Sequence, residues 1–389
     1  MGTNKLEIPV GFIWRYYPFR MPDQSQAAGQ IVLSGTIHIL LQFDVCEEIR
    51  LDRLRDLLSA PTLQQPALKH PAPGYVRYKR PPVVEPTEPL VLEGGERLEG
   101  EIKYYDYGVV SVLLHLTFSD SWETLIALAS RWAWEIDFAS HASDIVRRRL
   151  HLAASALVKP YTDWLSEDYL IVHIHHITGS LDAPDLIARY GSQIAQVVRG
   201  DTLALSSHER QEVLQSTISY YPTDLAVIGW NAAFLYDTPA GAEAAIQLLE
   251  YANSQLLEFR HYDDLLTKVL DTVYDSFEQR TGIFSGFRRA GSANRLHTVL
   301  LEVMELTEHA DNAIKFLSDM FAARLYRLAA AKVGVPDYKD LVQQKIDTAE
   351  DLYRFMVDQF NQSRAFFLEF TVVVILIIEL IYLFRGKGF

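Results

Sequence analysis

The sequence predicts an α+β protein: an N-terminal α/β sheet-and-helix body over residues 1–236, then a bundle of long helices ending in one transmembrane helix. Three observations carry this. Strand-like runs alternate with amphipathic helical stretches up to residue 236. From there to residue 365, apolar positions recur at three- and four-residue spacing. The chain then reaches Phe366 to Phe384, FFLEFTVVVILIIELIYLF, nineteen residues of which fifteen are Phe, Leu, Ile or Val.

Taken in order, residues 1–30 carry Trp14, Tyr16, Tyr17 and Phe19 and read as an arm packed on the first domain. Gly35 to Phe43 alternates polar and apolar, which predicts a strand. Arg50 to Leu58 places Leu51, Leu54, Leu57 and Leu58 on one helical face. Residues 60–89 hold eight prolines and predict a long surface loop. Ile102 to Phe118 gives one or two strands around Gly108, and Ser119 to Glu123 opens a helix that runs to about Ile136. Tyr169 to Ile177 is a further strand. Asp182 caps a helix to about Val198, with Pro184 in its first turn. Ser206 and Glu209 stand at capping-box spacing and open another helix to about Ser219. Asp224 to Leu235 reads as one strand with Gly229 as a bulge.

Thr238-Pro239 then starts a different texture, an N-cap followed by proline at N1. Three helices are predicted over residues 237–365. The seam of the first runs Leu248, Ala252, Gln255, Phe259, Tyr262, Leu266, Val269, Val273. The second runs Leu296, Val299, Val303, Leu306, Ala310, Ala313, Leu317, Met320. The third runs Val342, Ile346, Ala349, Tyr353, Met356, Phe360. Such spacing predicts a coiled-coil-like stalk, turned once at the glycine-rich stretch from Gly282 and once at Gly334 to Asp337. Pairing the second and third helices outward from their tight turn brings the first turn to the membrane surface. There Ile283, Phe284 and Phe287 are expected to dip among headgroups while Arg288 and Arg289 meet phosphates.

A helix of the length of Phe366 to Phe384 spans roughly 28 Å, the thickness of a hydrocarbon core. Its fifteen large apolar residues favour insertion by up to about 5 to 9 kcal/mol, against at most about 3 kcal/mol for each carboxyl. Glu369 falls near one interface, where its side chain can reach water. Glu379 lies deeper and calls for a protein neighbour, a second copy or another membrane protein, or for a pore. Only residues 385–389 follow, so the expectation is a tail anchor. The start, MGTNKLEIPVGFIWRYYPFR, shows neither the pattern of a signal peptide nor that of a transit peptide. The large domain is therefore expected in the cytoplasm, with a bacterial inner membrane favoured, or a mitochondrial inner membrane in a eukaryote.

Net charge is −14 in 389 residues, and such an acidic body argues against direct nucleic-acid binding. The single cysteine, Cys46, excludes a disulfide framework. Apolar residues make up 49% and charged ones 22%, the proportions of a globular protein. No phosphate loop, dinucleotide fingerprint or nucleophile elbow is present, so no enzyme motif and no cofactor is predicted. His173 and His175 face one side of a strand and are the candidate metal ligands, without an identifiable third. Two further features read as solvated faces. His141, Asp144 and His151 share a helix with Arg147 to Arg149, which also has the makings of a docking patch. Glu302, Glu305, Glu308 and Asp311 form an acidic run, with cation binding as the alternative.

Three stretches carry a resemblance: Phe43-Asp44-Val45-Cys46-Glu47-Glu48-Ile49-Arg50-Leu51, Tyr105-Asp106-Tyr107-Gly108-Val109-Val110, and the tail with Arg364, Leu368-Glu369 and Glu379. Together they resemble the "required for meiotic nuclear division" proteins and their bacterial relatives of unknown function. That resemblance implies a membrane-anchored organellar or bacterial protein, linked in mitochondria to supporting translation at the inner membrane. It implies no catalytic residue. Three function classes follow: a membrane-anchored scaffold or tether, an oligomer that recruits a protein partner; a channel-like protein similar to the CorA type, whose second span and Gly-Met-Asn signature are absent; and a membrane-tethered enzyme.

Overall fold

The computed structural model describes residues 31–58, 80–179, 181–278, 295–301, 303–304 and 320–385. Among the described residues eight strands form one mixed sheet: β1 (Leu33–Ile49), β2 (Val83–Val91), β3 (Arg97–Tyr104), β4 (Val109–Asp120), β5 (Leu157–Ile177), β6 (Thr217–Ile218), β7 (Leu225–Ile228) and β8 (Ala232–Tyr236). Their order is β2-β3-β4-β1-β5-β8-β7-β6, with β5 and β8 parallel and every other pair antiparallel.

The two faces of β1 go to different cores because side chains alternate along a strand. Ile37, Ile39, Leu41, Phe43 and Val45 pack under α1 (Leu51–Leu58), α2 (Trp122–Trp134), α3 (Phe138–Leu152) and α4 (Ala183–Arg199). Leu40 faces the other way, into a core shared with α6 (Pro239–Glu278), α7 (Met320–Val333) and α8 (Val335–Arg385). α5 (Ser207–Gln215) lies between the two cores in sequence and is capped by the Ser206 hydroxyl, which accepts from the Glu209 amide at 3.1 Å. The result is a sheet between two helical layers, an α+β architecture with the sheet N-terminal and the long helices C-terminal.

Several expectations change. Residues 60–79 lie outside the described residues, as do 1–30, but the end of the proline-rich loop is strand β2. Pro86 and Pro89 are accommodated there because β2 is an edge strand, whose outward groups need no partner strand. β5 begins at Leu157, twelve residues before the expected start at Tyr169, in a half-exposed stretch without a clean alternation. The helix from Ser206 ends at Gln215 because Thr217 and Ile218 pair with β7. Asp224 to Leu235 is a hairpin rather than a bulged strand. Gly229 makes its turn, donating to Ala232 O at 2.8 Å, where a Cβ would meet Val198 and the Ala232 carbonyl.

The seam of α6 is buried from Leu248 to Val273, as its spacing predicts. Its first half, however, lies on the sheet: Leu248, Leu249, Ala252 and Phe259 share a core with Leu40, Leu113, Tyr169, Ile171 and Leu235. Periodicity reports that a helix has a buried face; it does not report what buries it. α6 contacts both α7 and α8. Leu296, Val299 and Val303 of the second seam are buried, residues 305–319 lie outside the described residues, and Met320 is exposed. Gly334, at φ 96°, is the single residue between α7 and α8.

α8 is one helix of 51 residues that carries the apolar run at its far end. Among the described residues no helix is long and apolar enough to cross a membrane. The side chains of 363–367 and 384, at the two ends of that run, lie outside them. So does the loop with Ile283, Phe284, Phe287, Arg288 and Arg289.

Candidate functional site at the joint of sheet and helix

The face of the sheet under α6 is where β1 breaks its own pattern. After His38 and Leu40 its inward positions become Gln42 and Asp44, both buried. α6 answers with Glu250, Asn253, Ser254, Gln255 and Glu258, all buried too. A polar seam thus runs through an apolar layer, and each group needs a partner to offset its lost hydration. At one end, Lys103 Nζ lies 2.7 Å from Glu250 Oε2 and 3.3 Å from Glu101 Oε1, while Gln42 Nε2 donates to Glu250 O at 3.0 Å. Further along, the Tyr107 and Ser254 hydroxyls are 3.0 Å apart, and Tyr326 donates to Gln255 Oε1.

At the other end the backbone itself is unusual. The β1–β5 register jumps from Asp44↔Leu165 to Cys46↔Pro160, so residues 161–164 bulge opposite Val45. Bulges of this kind re-aim side chains and occur beside functional sites. Lys159, just before the bulge, has φ 45°, a conformation non-glycine residues rarely adopt. Gly108, at φ 95°, packs so close to β1 that a Cβ would stand 1.8 Å from the Cys46 carbonyl oxygen. Val45 N donates to Gly108 O at 3.1 Å and Ile49 N to Asp106 O at 3.0 Å. The stretches Phe43 to Leu51 and Tyr105 to Val110, which carry the resemblance in the sequence, therefore meet here.

The bulge delivers Tyr161, whose ring stacks on His261 with centroids 4.5 Å apart. His261 Nδ1 lies 2.8 Å from Asp44 Oδ2. One turn back on α6, Glu258 accepts a hydrogen bond from Tyr262 on Oε2, and its Oε1 has no partner among the described residues. Burial raises both carboxyls. For Asp44 the hydrogen bond from His261 opposes that rise. For Glu258 the neighbouring Asp44 charge adds to it, while the Tyr262 hydroxyl opposes it. Burial also pushes the Cys46 thiol up to about 12, with the Asp44 charge adding to the effect, so the thiol is uncharged and a poor nucleophile. Tyr161 is raised by burial and by Asp44, Glu258 and Glu47. The nearby cations are engaged elsewhere: Lys159 Nζ is 2.7 Å from Glu47, and Arg260 pairs with Glu167.

Chemically, these are two buried carboxyls, one on the sheet and one on α6, with an imidazole on the first and a phenol on the second. Such a pair holds protons that exposed carboxyls release. The sequence reading did not single out Asp44, Tyr161, Glu258 or His261. The available signal was polarity at positions whose parity or period placed them in the core, Gln42 and Asp44 on the strand and Gln255 in the helical seam.

His173 and His175 do come together, with ring centroids 6.1 Å apart. His173 is buried with Nε2 2.9 Å from Asp237 O, and its ring is lowered in basicity chiefly by burial. His38 and His115 form a second such pair at 6.1 Å. Among the described residues no three His, Cys, Asp or Glu are placed to hold a metal. On α3, His141, Asp144, Arg147, Arg148 and His151 are exposed, whereas Arg149 reaches Glu85. Glu369 and Glu379 are exposed on α8.

Comparison with known proteins gives one family. The chain is 20% identical over 229 residues to the uncharacterized protein MJ0711 of Methanocaldococcus jannaschii, covering 59% of this chain and 69% of that protein. No solved structure matches. The family model described as "Uncharacterized protein MJ0711, N-terminal domain" matches residues 34–243, the span of the whole sheet, and the chain belongs to that uncharacterized family.

Proposed function

We propose that this protein is a membrane-anchored scaffold, in which α8 carries a cytoplasmic sheet domain to a lipid bilayer and the domain recruits a protein partner there. One observation supports the anchor above others. From Leu368 to Leu383 every large apolar side chain except the half-buried Val374 is at least half exposed, Tyr382 most of all at 82%. A helix that is apolar all round needs lipid or protein around it, and a stripe on a folded domain would be one-sided. Placing Glu379 against a second copy of the helix shields its carboxyl, which favours an oligomer. The resemblance to the meiotic nuclear division proteins agrees with this reading and would place the chain at a bacterial or mitochondrial inner membrane.

A second reading, a channel-like oligomer of the CorA type, draws on the continuity of α8, which runs unbroken from the helical layer on the sheet into the apolar run. Alkaline carbonate extraction of membranes from cells producing the full chain tests the anchor. Retention of the full chain and release of a chain truncated after Gln362 is the expected result; release of both overturns it. Ion flux in liposomes carrying the full chain separates channel from scaffold.

A further inference from the structure

We propose that the buried carboxyls of Asp44 and Glu258 together keep one proton, and that this proton latches α6 to the sheet. The argument starts from geometry. Asp44 belongs to β1 and Glu258 to α6, and each is at most 4% exposed. Among the described residues the groups that face them are few. From α6 come His261, on Asp44, and Tyr262, on Glu258. From β5 comes Tyr161, and from β1 come Cys46 and, behind Tyr161, Glu47. Arg260 and Lys159 are spent on Glu167 and Glu47. With both carboxyls ionised, His261 can offset one charge at most, leaving a bare buried anion. A proton on the pair removes that charge, and Glu258 Oε1, which has no partner among the described residues, is the atom free to carry it.

The latch is connected. Five residues beyond Glu258, Asp263 takes Lys345 of α8 at 2.6 Å, and the same Nζ reaches Thr267 Oγ1 at 2.5 Å. Loosening α6 at Glu258 therefore loosens the seat of α8 within about two turns. The sign follows from linkage: the folded protein keeps a proton that the unfolded chain releases. The latch is fully closed below the ordinary carboxylate range and weakens as pH rises through the pair's raised value. This inference goes beyond the anchor and does not depend on it.

The test is amide hydrogen exchange on the full chain in detergent micelles between pH 5 and 9, corrected for the intrinsic pH dependence of exchange. Protection over residues 255–270 should fall by up to about tenfold per pH unit in the upper range. Glu258→Gln, which mimics the protonated acid, should flatten that profile. Infrared difference spectra between pH 5 and 9 should show a protonated carboxyl band that the variant lacks. If Glu258→Gln does not fold, Asp44→Asn is read in the same way. A flat wild-type profile, a variant with the wild-type profile, or no such band overturns the proposal. So does recovery of protection at pH 9 by magnesium or sodium ions, which would put a cation where the proton is placed.

Discussion

His261 on α6 brings its Nδ1 to 2.8 Å from the Asp44 carboxylate on β1, while its ring lies on Tyr161 of β5. Three elements that are distant in sequence thus meet at one imidazole. Asp44 is 217 residues before His261, yet the contact is what ties the first strand to the helix that leads toward α8. Disturbing any of the three should be felt in the other two.

Gly108→Ala should be among the most damaging single changes, at more than about 4 kcal/mol. A Cβ there would overlap the Cys46 carbonyl oxygen, and the backbone is at φ 95°. Gly95→Ala is the control: at φ 87° with open space around it, it should cost only about 1 to 2 kcal/mol. Urea denaturation of the two variants measures the difference.

Lys103→Met should lower stability by about 3 to 5 kcal/mol, because it leaves the buried Glu250 carboxylate without its cation. The double variant Lys103→Met with Glu250→Met should recover most of that loss, since both charges go together. A double variant no more stable than Lys103→Met alone would show that the pair is held by something other than charge.

Cys46 should resist alkylation in the folded protein at pH 8. The thiol is buried and pushed up to about 12, so almost no thiolate is available. Iodoacetamide followed by mass spectrometry should label it only under denaturing conditions. Labelling at the rate of a free thiol would contradict the burial.

His38 should give the protein an acid limb. Burial, with His173, His115 and Lys103 adding to it, lowers the ring to about 3. The unfolded chain then binds a proton that the folded protein refuses. That contribution is fully present above the ordinary histidine value near 6.5 and is lost as pH falls from there toward 3. His38→Leu should flatten thermal stability between pH 6 and 4, and an unchanged acid limb would assign it to other groups.

On the proposed anchor, Leu376→Lys should shift the full chain out of the carbonate-resistant membrane fraction. A lysine at mid-span costs about 2.5 to 3.5 kcal/mol, a large part of what the run gains by insertion. Tyr382→Lys, near the end of the run, should be tolerated because its ammonium can reach the interface.

What the sequence determined by itself was local: the centres of most strands and helices, and which face of each is buried. The α6 seam from Leu248 to Val273, the Ser206 cap and the strand around Gly35 to Phe43 are set by propensity, capping and period, which act over a few residues. The partner of each buried face was decided only in three dimensions. The α6 seam reads the same whether a coiled-coil mate or a sheet covers it, and Pro86 and Pro89 read as loop until β2 is known to be an edge. The acid pair belongs to this second kind. Asp44 and Glu258 are ordinary carboxyls in the chain; burial between β1 and α6, on a bulge that turns Tyr161 inward, is what changes their chemistry. Desolvation depends on everything that closes around a group, and no short window of sequence contains that.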